Sequence, residues 1–297
     1  MTRRQPFSAG GFYDASPDRC ARAAADLVSA AAIPENLPEV LYGGLVPHAG
    51  WTYSGRLAAM TFKALCAAGE VDTFVLFGAD HMGTVRMGEV FDTGAWQTPL
   101  GDVPVDEELA SAILAAAACL RANTDAHDYV PRAGRAEHSI EVQLPLLATA
   151  APGAKIVPVA VPPAPLAVEV GRAVGSVLAG RAGRTVVVGS TDLTHHGGHF
   201  GCPGGRGAVG ERWTRANDRR MLDLIEALAD DRIIDEAAAH RNACGAGAVA
   251  ATVTACKHLG ATRGLCLEYT NSYEVIHASR PDYPDDTTVG YASVVFA

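Results

Sequence analysis

Three short apolar runs in this chain end in the same way. Residues 41–47 (LYGGLVP) run apolar up to Pro47 and deliver His48 into a glycine-rich turn; residues 73–77 (TFVLF) open through Gly78, Ala79 and Asp80 onto His81. Residues 185–188 (TVVV) lead through Gly189 and Ser190 to Asp192, His195 and His196. Runs this long, bounded by glycine and polar residues, predict buried strands of a parallel or mixed sheet. Open α/β sheets bind ligands beyond the carboxyl ends of their strands. The pattern therefore aims His48, His81 and the Asp192/His195 pair at one crevice.

Between these strands the periodicity turns helical. Ser16 followed by Pro17 starts a helix that continues to residue 32. Ser54 caps a second that runs to about residue 68, with Gly69 as its left-handed stop; with the flanking strands it makes a βαβ unit that puts His48 and His81 on neighbouring strand ends. Residues 87–93 and 101–105 form hairpin-like strands joined through Gln97, Thr98 and Pro99, and 106–120 a helix. Residues 123–135 are polar and irregular; a helix begins at 136–141, and Pro145 kinks or ends it. Pro158 within the strand 155–161 predicts an edge or a bulge. Helices come next at 164–178, 211–229 and 246–259, the last stopped by Gly260, and strands at 265–269 and 288–296. Residues 197–210 (GGHFGCPGGRGAVG), half of them glycine, predict a mobile flap. The sum is an α/β fold, one domain over residues 1–297, with a central mixed, largely parallel sheet and helices on both faces.

Composition narrows the function. With 48% hydrophobic residues in 297, the chain can bury a full core, and no linker divides it. A net charge of -9 and no run of Lys and Arg exclude a nucleic-acid footprint. The two arginines of the amino terminus precede no apolar region, so it is no secretory signal, and the alanine-rich run 109–120 is too short to span a bilayer. A soluble, cytoplasmic protein acting on a small molecule is the expectation, with no membrane and no nucleic acid as partner. Seven scattered cysteines with no Cys-x-x-Cys pair predict reduced thiols, most of them small core residues.

Neutral imidazole is the commonest protein ligand for a transition metal, and His48 with His81 supplies two. A third comes from Cys244, Glu137, Asp192 or His195. Cys244 precedes a glycine at the start of a helix, where unpaired backbone N–H groups favour a thiolate. Each of these residues has a plain structural reading as well. Histidines after strands serve as hydrogen-bonded turn residues, Glu137 and His138 fit a helix N-terminus, and Asp192 with His195 fits a capping turn.

The motifs together resemble the Memo family, called system protein B where its genes neighbour those of an AMMECR-type and a radical-SAM protein, and related to class III extradiol dioxygenases. The resemblance spans nearly the whole chain. It rests on AGGFY at 9–13, PHAGWTYSG at 47–55, GADH at 78–81, EHSIEVQLP at 137–145, STDLTH at 190–195 and CG at 244–245. It implies an extradiol dioxygenase-like fold, His48, His81 and Cys244 as metal ligands, and Asp192 and His195 lining the same pocket; Glu137 and His138 are further pocket candidates. It also implies AMMECR-type and radical-SAM proteins as partners. The related dioxygenases use a carboxylate where this chain has Cys244, a softer ligand that favours copper(I) or zinc beside the iron(II) expected of the fold. The family usually has Gly-Pro and then Asn or Ser before the second histidine; here Ala79 and Asp80 stand there, and Asp80 is expected to act on the neighbouring ligand. Three functions are compatible with this set: an Fe(II)-dependent oxidoreductase with open metal positions for dioxygen and a chelating aromatic or enolic substrate, and His195 as acid/base; a metal-binding scaffold for a partner; and a metal-assisted hydrolase.

Overall fold

Four parallel strands form the middle of the main sheet in this computed structural model, which describes residues 2–123, 126–130, 134–201, 205–284 and 286–297. In spatial order they are Gly43–Val46, Thr185–Ser190, Thr73–Gly78 and Lys155–Ala160. Outside Gly43–Val46 runs the antiparallel carboxyl-terminal strand Thr288–Phe296, which also pairs with Gly264–Asn271 and with the short His195–His196. Beyond Lys155–Ala160 lie Gly88–Val90, antiparallel to it, and Leu120–Ala122. The mixed sheet is thus present, with a parallel centre and antiparallel pairings on both sides of it, and its three organising strands are adjacent. Their carboxyl ends carry His48, Asp192 and His81 side by side.

Helices cover both faces, and two consecutive residues prove it. Successive side chains of a strand point to opposite faces. A methyl group built on Gly43 would come within 2.7 Å of Cys256 Sγ, on the helix Ala246–Leu259, whereas one on Gly44 would come within 2.6 Å of Thr61 Cγ2, on the helix Trp51–Ala67. Every residue of Gly43–Val46 and of Thr73–Gly78 is buried, as strands sandwiched between helices require. Among the described residues no helix is long and apolar enough to cross a membrane.

Several local expectations need correction. The Thr185 strand lies between the other two, so His48 and His81 are not on neighbouring strands. Pro158 sits inside the sheet: its carbonyl accepts from Phe91 N on the Gly88–Val90 side, so its missing N–H falls where that short strand's pairing runs out. The helix expected from Ser54 begins at Trp51 behind Gly50, and Ser54 Oγ donates back to Ala49 O at 3.1 Å. Pro145 neither ends nor kinks a helix; it occupies the first turn of Leu144–Ala150, where its lost N–H has no intrahelical partner to lose. The hairpin is Ala95–Thr98 with Gly101–Pro104, not 87–93 with 101–105, and the helix after Asp106 ends at Ala116. Residues 202–204 of the glycine flap lie outside the described residues; on either side, Gly198–Phe200 forms a short 3-10 turn and the next helix already starts at Gly207.

Candidate metal centre

His48 lies two residues beyond the first strand, and its backbone N–H donates to Asp192 Oδ1 at 2.7 Å, tying two strand ends together. Its ring Nδ1 lies 3.0 Å from Ser190 Oγ. Ser190 spends its single proton on Ser139 O at 2.7 Å, so towards the ring it is the acceptor and Nδ1 carries the hydrogen. Nε2 is then a bare lone pair, and it points at Cys244 Sγ, 3.1 Å away. Burial, with the neighbouring His81 and His138 rings, pushes His48 well below the ordinary imidazole range, keeping it neutral.

His81 is oriented by a carboxylate. Glu137 accepts the His81 backbone N–H at 2.8 Å through Oε2 and faces its Nδ1 at 3.0 Å through Oε1. A carboxylate only accepts, so Nδ1 is protonated here as well and Nε2 is turned inward. Glu137 is itself held by the N–H groups of His138 (2.9 Å) and Ser139 (3.0 Å). Burial pushes its carboxyl up, but the His81 hydrogen bond and the His81 and His138 rings outweigh it and hold it below the usual carboxylate range. Burial likewise opposes a charge on His81, yet Cys244 and Glu137 raise it to about 11. At that value the ring holds a second proton, on Nε2 towards Cys244, and a metal ion would have to displace it.

Cys244 arrives from a different layer. Its N–H donates to Asp192 O at 3.2 Å, the Asp192 N–H donates back to Sγ at 3.3 Å, and the helix Ala246–Leu259 begins two residues later. Ligand atoms from His48, His81 and Cys244, one from each, lie within 4.8 Å of one another. Two N or S donors slightly over 2 Å from one metal are roughly 3–3.6 Å apart at octahedral to tetrahedral angles, so the 3.1 Å between His48 Nε2 and Cys244 Sγ fits a shared ion. Both histidines also have the outer hydrogen-bond partner that metal-ligating imidazoles ordinarily have. The residues fit the group.

The other expected residues divide. His138 stacks on His81 at 4.7 Å, and burial, with the His81 and Arg135 charges, lowers it to about 4. His81, Glu137 and His138 form a second set of close ligand atoms. His195 Nε2 stands 3.9 Å from Asp192 Oδ2, its ring stacked on Phe200 at 4.9 Å, and burial with the His81 charge lowers it to about 4. Burial raises Asp192 to about 7 against the pull of the His48 N–H. Asp80 is not in the cleft: both its oxygens accept from its own turn, Thr84 N (3.1 Å) and Val85 N (3.0 Å), and Glu137 takes the role expected of it. No local signal marked Ser190 as a ring partner, nor Gln143, whose Nε2 donates to Pro47 O at 2.9 Å beneath His48.

His48, His81, His138, Asp192 and His195 line a cleft of about 360 Å³, walled by Phe12, Tyr53, Phe200 and Tyr291. A larger hollow of about 770 Å³ lies at the opposite, amino ends of the Thr73 and Lys155 strands and holds none of the candidate ligands.

A family model described as Memo-like protein matches residues 4–295. The chain belongs to the Memo family. It is 34% identical over 303 residues to a MEMO1 family protein of Methanopyrus kandleri, covering 99% of this chain and 98% of that one. A MEMO1 family protein of Methanothermobacter thermautotrophicus is 34% identical over 281 residues, 92% of this chain and 94% of the other. Among solved structures, an uncharacterized protein of Escherichia coli K12 superposes with a TM-score of 0.50 at 12% identity, over 80% of this chain and 91% of that one. At that identity the likeness is one of fold. In this Memo chain the motifs that carry the resemblance are those that meet around His48, His81 and Cys244.

Proposed function

We propose that this Memo protein is a metal-dependent oxidoreductase that holds iron(II) on His48, His81 and Cys244 and opens small chelating aromatic or enolic substrates with dioxygen. The observation that carries the reading is the pair of inward nitrogens: Ser190 and Glu137 each occupy an Nδ1, leaving both Nε2 atoms towards the Cys244 sulfur. Two histidines and a third ligand on one face leave other coordination positions open. The bound metal would supply Lewis acidity and a place for dioxygen.

The protein's own part is positioning and proton transfer. His195 is held neutral by burial, so it can take a proton from a substrate hydroxyl and return it later. Asp192 anchors the His48 backbone through one oxygen and faces His195 with the other, fixing base and ligand to each other. Phe12, Tyr53, Phe200 and Tyr291 give a flat substrate aromatic walls.

Oxygen uptake by iron(II)-reconstituted protein with a panel of catechols tests this. Uptake that disappears in His195→Gln supports it; turnover under argon points to metal-assisted hydrolysis, and catechol binding with no turnover leaves a metal-binding role alone.

A further inference from the structure

A second hollow of about 360 Å³ adjoins the metal cleft, lined by Phe7, Ser8, Gly11, Phe12, Arg135 and His138 among others. Phe12 and His138 line both hollows, and their rings, 4.5 Å apart, mark the partition along which the two hollows meet. That partition is fixed from behind. Glu141 accepts from Arg4 Nη1 (2.6 Å), Phe7 N (3.1 Å), Ser8 N (2.6 Å) and Tyr13 OH (2.9 Å), so one buried carboxylate ties down the whole amino-terminal strap. The Phe12 carbonyl meanwhile accepts from Trp51 N at the start of the helix Trp51–Ala67.

The lining of this hollow has a definite chemistry. Phe7 is 43% exposed and Phe12 half-buried, which gives an apolar floor open to solvent. Among the described residues the Arg135 guanidinium donates to no carboxylate or carbonyl, whereas Arg19, Arg215 and Arg220 are each held by a carboxylate. An apolar floor with a free planar cation at its edge suits a carboxylate on a short hydrocarbon stem.

We propose that this hollow is the tail subsite of the same substrate, holding an apolar stem along Phe7 and Phe12 and a terminal carboxylate against Arg135. The proposal rests on the preceding reading for the head of the substrate, over the metal. The tail subsite stands on the shared partition and the unpaired guanidinium alone.

The test is calorimetric titration of zinc-loaded protein, which cannot turn over, with 3-(3,4-dihydroxyphenyl)propanoate, 3-phenylpropanoate and the primary amide of each. In the wild type each acid binds about fivefold tighter than its amide, the upper end for one solvent-exposed ion pair. The ratio falls to about one in Arg135→Ala, is largely kept in Arg135→Lys, and the amides bind both variants as they bind the wild type. If the dihydroxy and plain phenyl heads bind alike while the ratio responds to Arg135, the chelating head fails and the tail subsite stands. An acid-to-amide ratio near one in the wild type, a ratio that survives Arg135→Ala, or no binding of any probe at millimolar concentration overturns it.

Discussion

Nε2 of His48 stands 3.1 Å from Sγ of Cys244, although the two residues are 196 positions apart in the chain. His48 is brought there by a parallel strand and Cys244 by the start of a helix on the sheet's other flank, and Asp192 joins them by bonding to the backbone of both. The contact is therefore a property of the assembled sheet. Its consequences can be measured one residue at a time.

Cys244→Ser keeps the volume and exchanges a soft donor for a poor one. Iron(II) and copper(I) affinities, followed by competition with a chromophoric chelator, fall by at least the ~10-fold typical of losing even an outer partner of a ligand. Equal affinities in both proteins would remove Cys244 from the centre and make Glu137 the next candidate.

Ser190→Ala leaves every ligand in place and removes the acceptor that fixes the His48 tautomer. Metal affinity drops roughly 10-fold while the far-ultraviolet spectrum stays as in the wild type. An unchanged affinity would mean that Ser190 serves only its bond to Ser139 O.

Arg4 and Glu141 form an ion pair with side chains 1% and 0% exposed. Glu141→Leu leaves a buried guanidinium without its counter-charge, though still bonded to the Gln5, His127 and Glu137 carbonyls, and the strap's N–H groups without an acceptor, and urea unfolding should register a loss of about 3–5 kcal/mol. Glu141→Gln costs less, because the amide oxygen still accepts. Losses below about 1 kcal/mol in both variants would place this pair among ordinary surface bridges.

Asp218 gives a pH dependence away from the metal ligands. It accepts from Thr194 N and Tyr269 OH, both at 2.8 Å, and burial raises its carboxyl from 3.8 to about 7. Between those values the folded chain holds a proton the unfolded chain has released, so stability falls as pH rises through the window and the cost is complete above about pH 7. Asp218→Asn removes that cost. Its change in Tm relative to wild type is more favourable at about pH 8.5 than at about pH 5, and identical changes at both would show that Asp218 ionises normally.

Much of this was legible in the chain because the signals were local. An apolar run closed by a polar loop specifies both a strand and the residues just beyond its end, so His48, His81 and Asp192 emerged at strand ends without any knowledge of strand order. Order itself is not local: nothing within residues 43–78 announces that the Thr185 strand will insert between them. Side-chain partners were illegible for the same reason. Ser190 looks like any residue ending a strand, and only the arrival of Ser139 on one side and His48 on the other gives its hydroxyl a direction. Asp80 misled by its neighbour: adjacent in sequence to His81, it turns away to close its own loop, while Glu137 reaches the ring from 56 residues on.

Gly43 and Gly44 have a consequence that reaches past packing. A methyl on the first would come within 2.1 Å of Val187 O, and one on the second within 2.5 Å of Val294 O, so the strand has no clearance towards either helix layer or either neighbouring strand. The same strand carries His48 at its end. Alignment of the centre is therefore set like that of a lens in a mount, by the thickness of the spacer behind it, and here the spacer is two absent methyl groups. A change at either glycine would detune the metal geometry while leaving every residue of the cleft untouched.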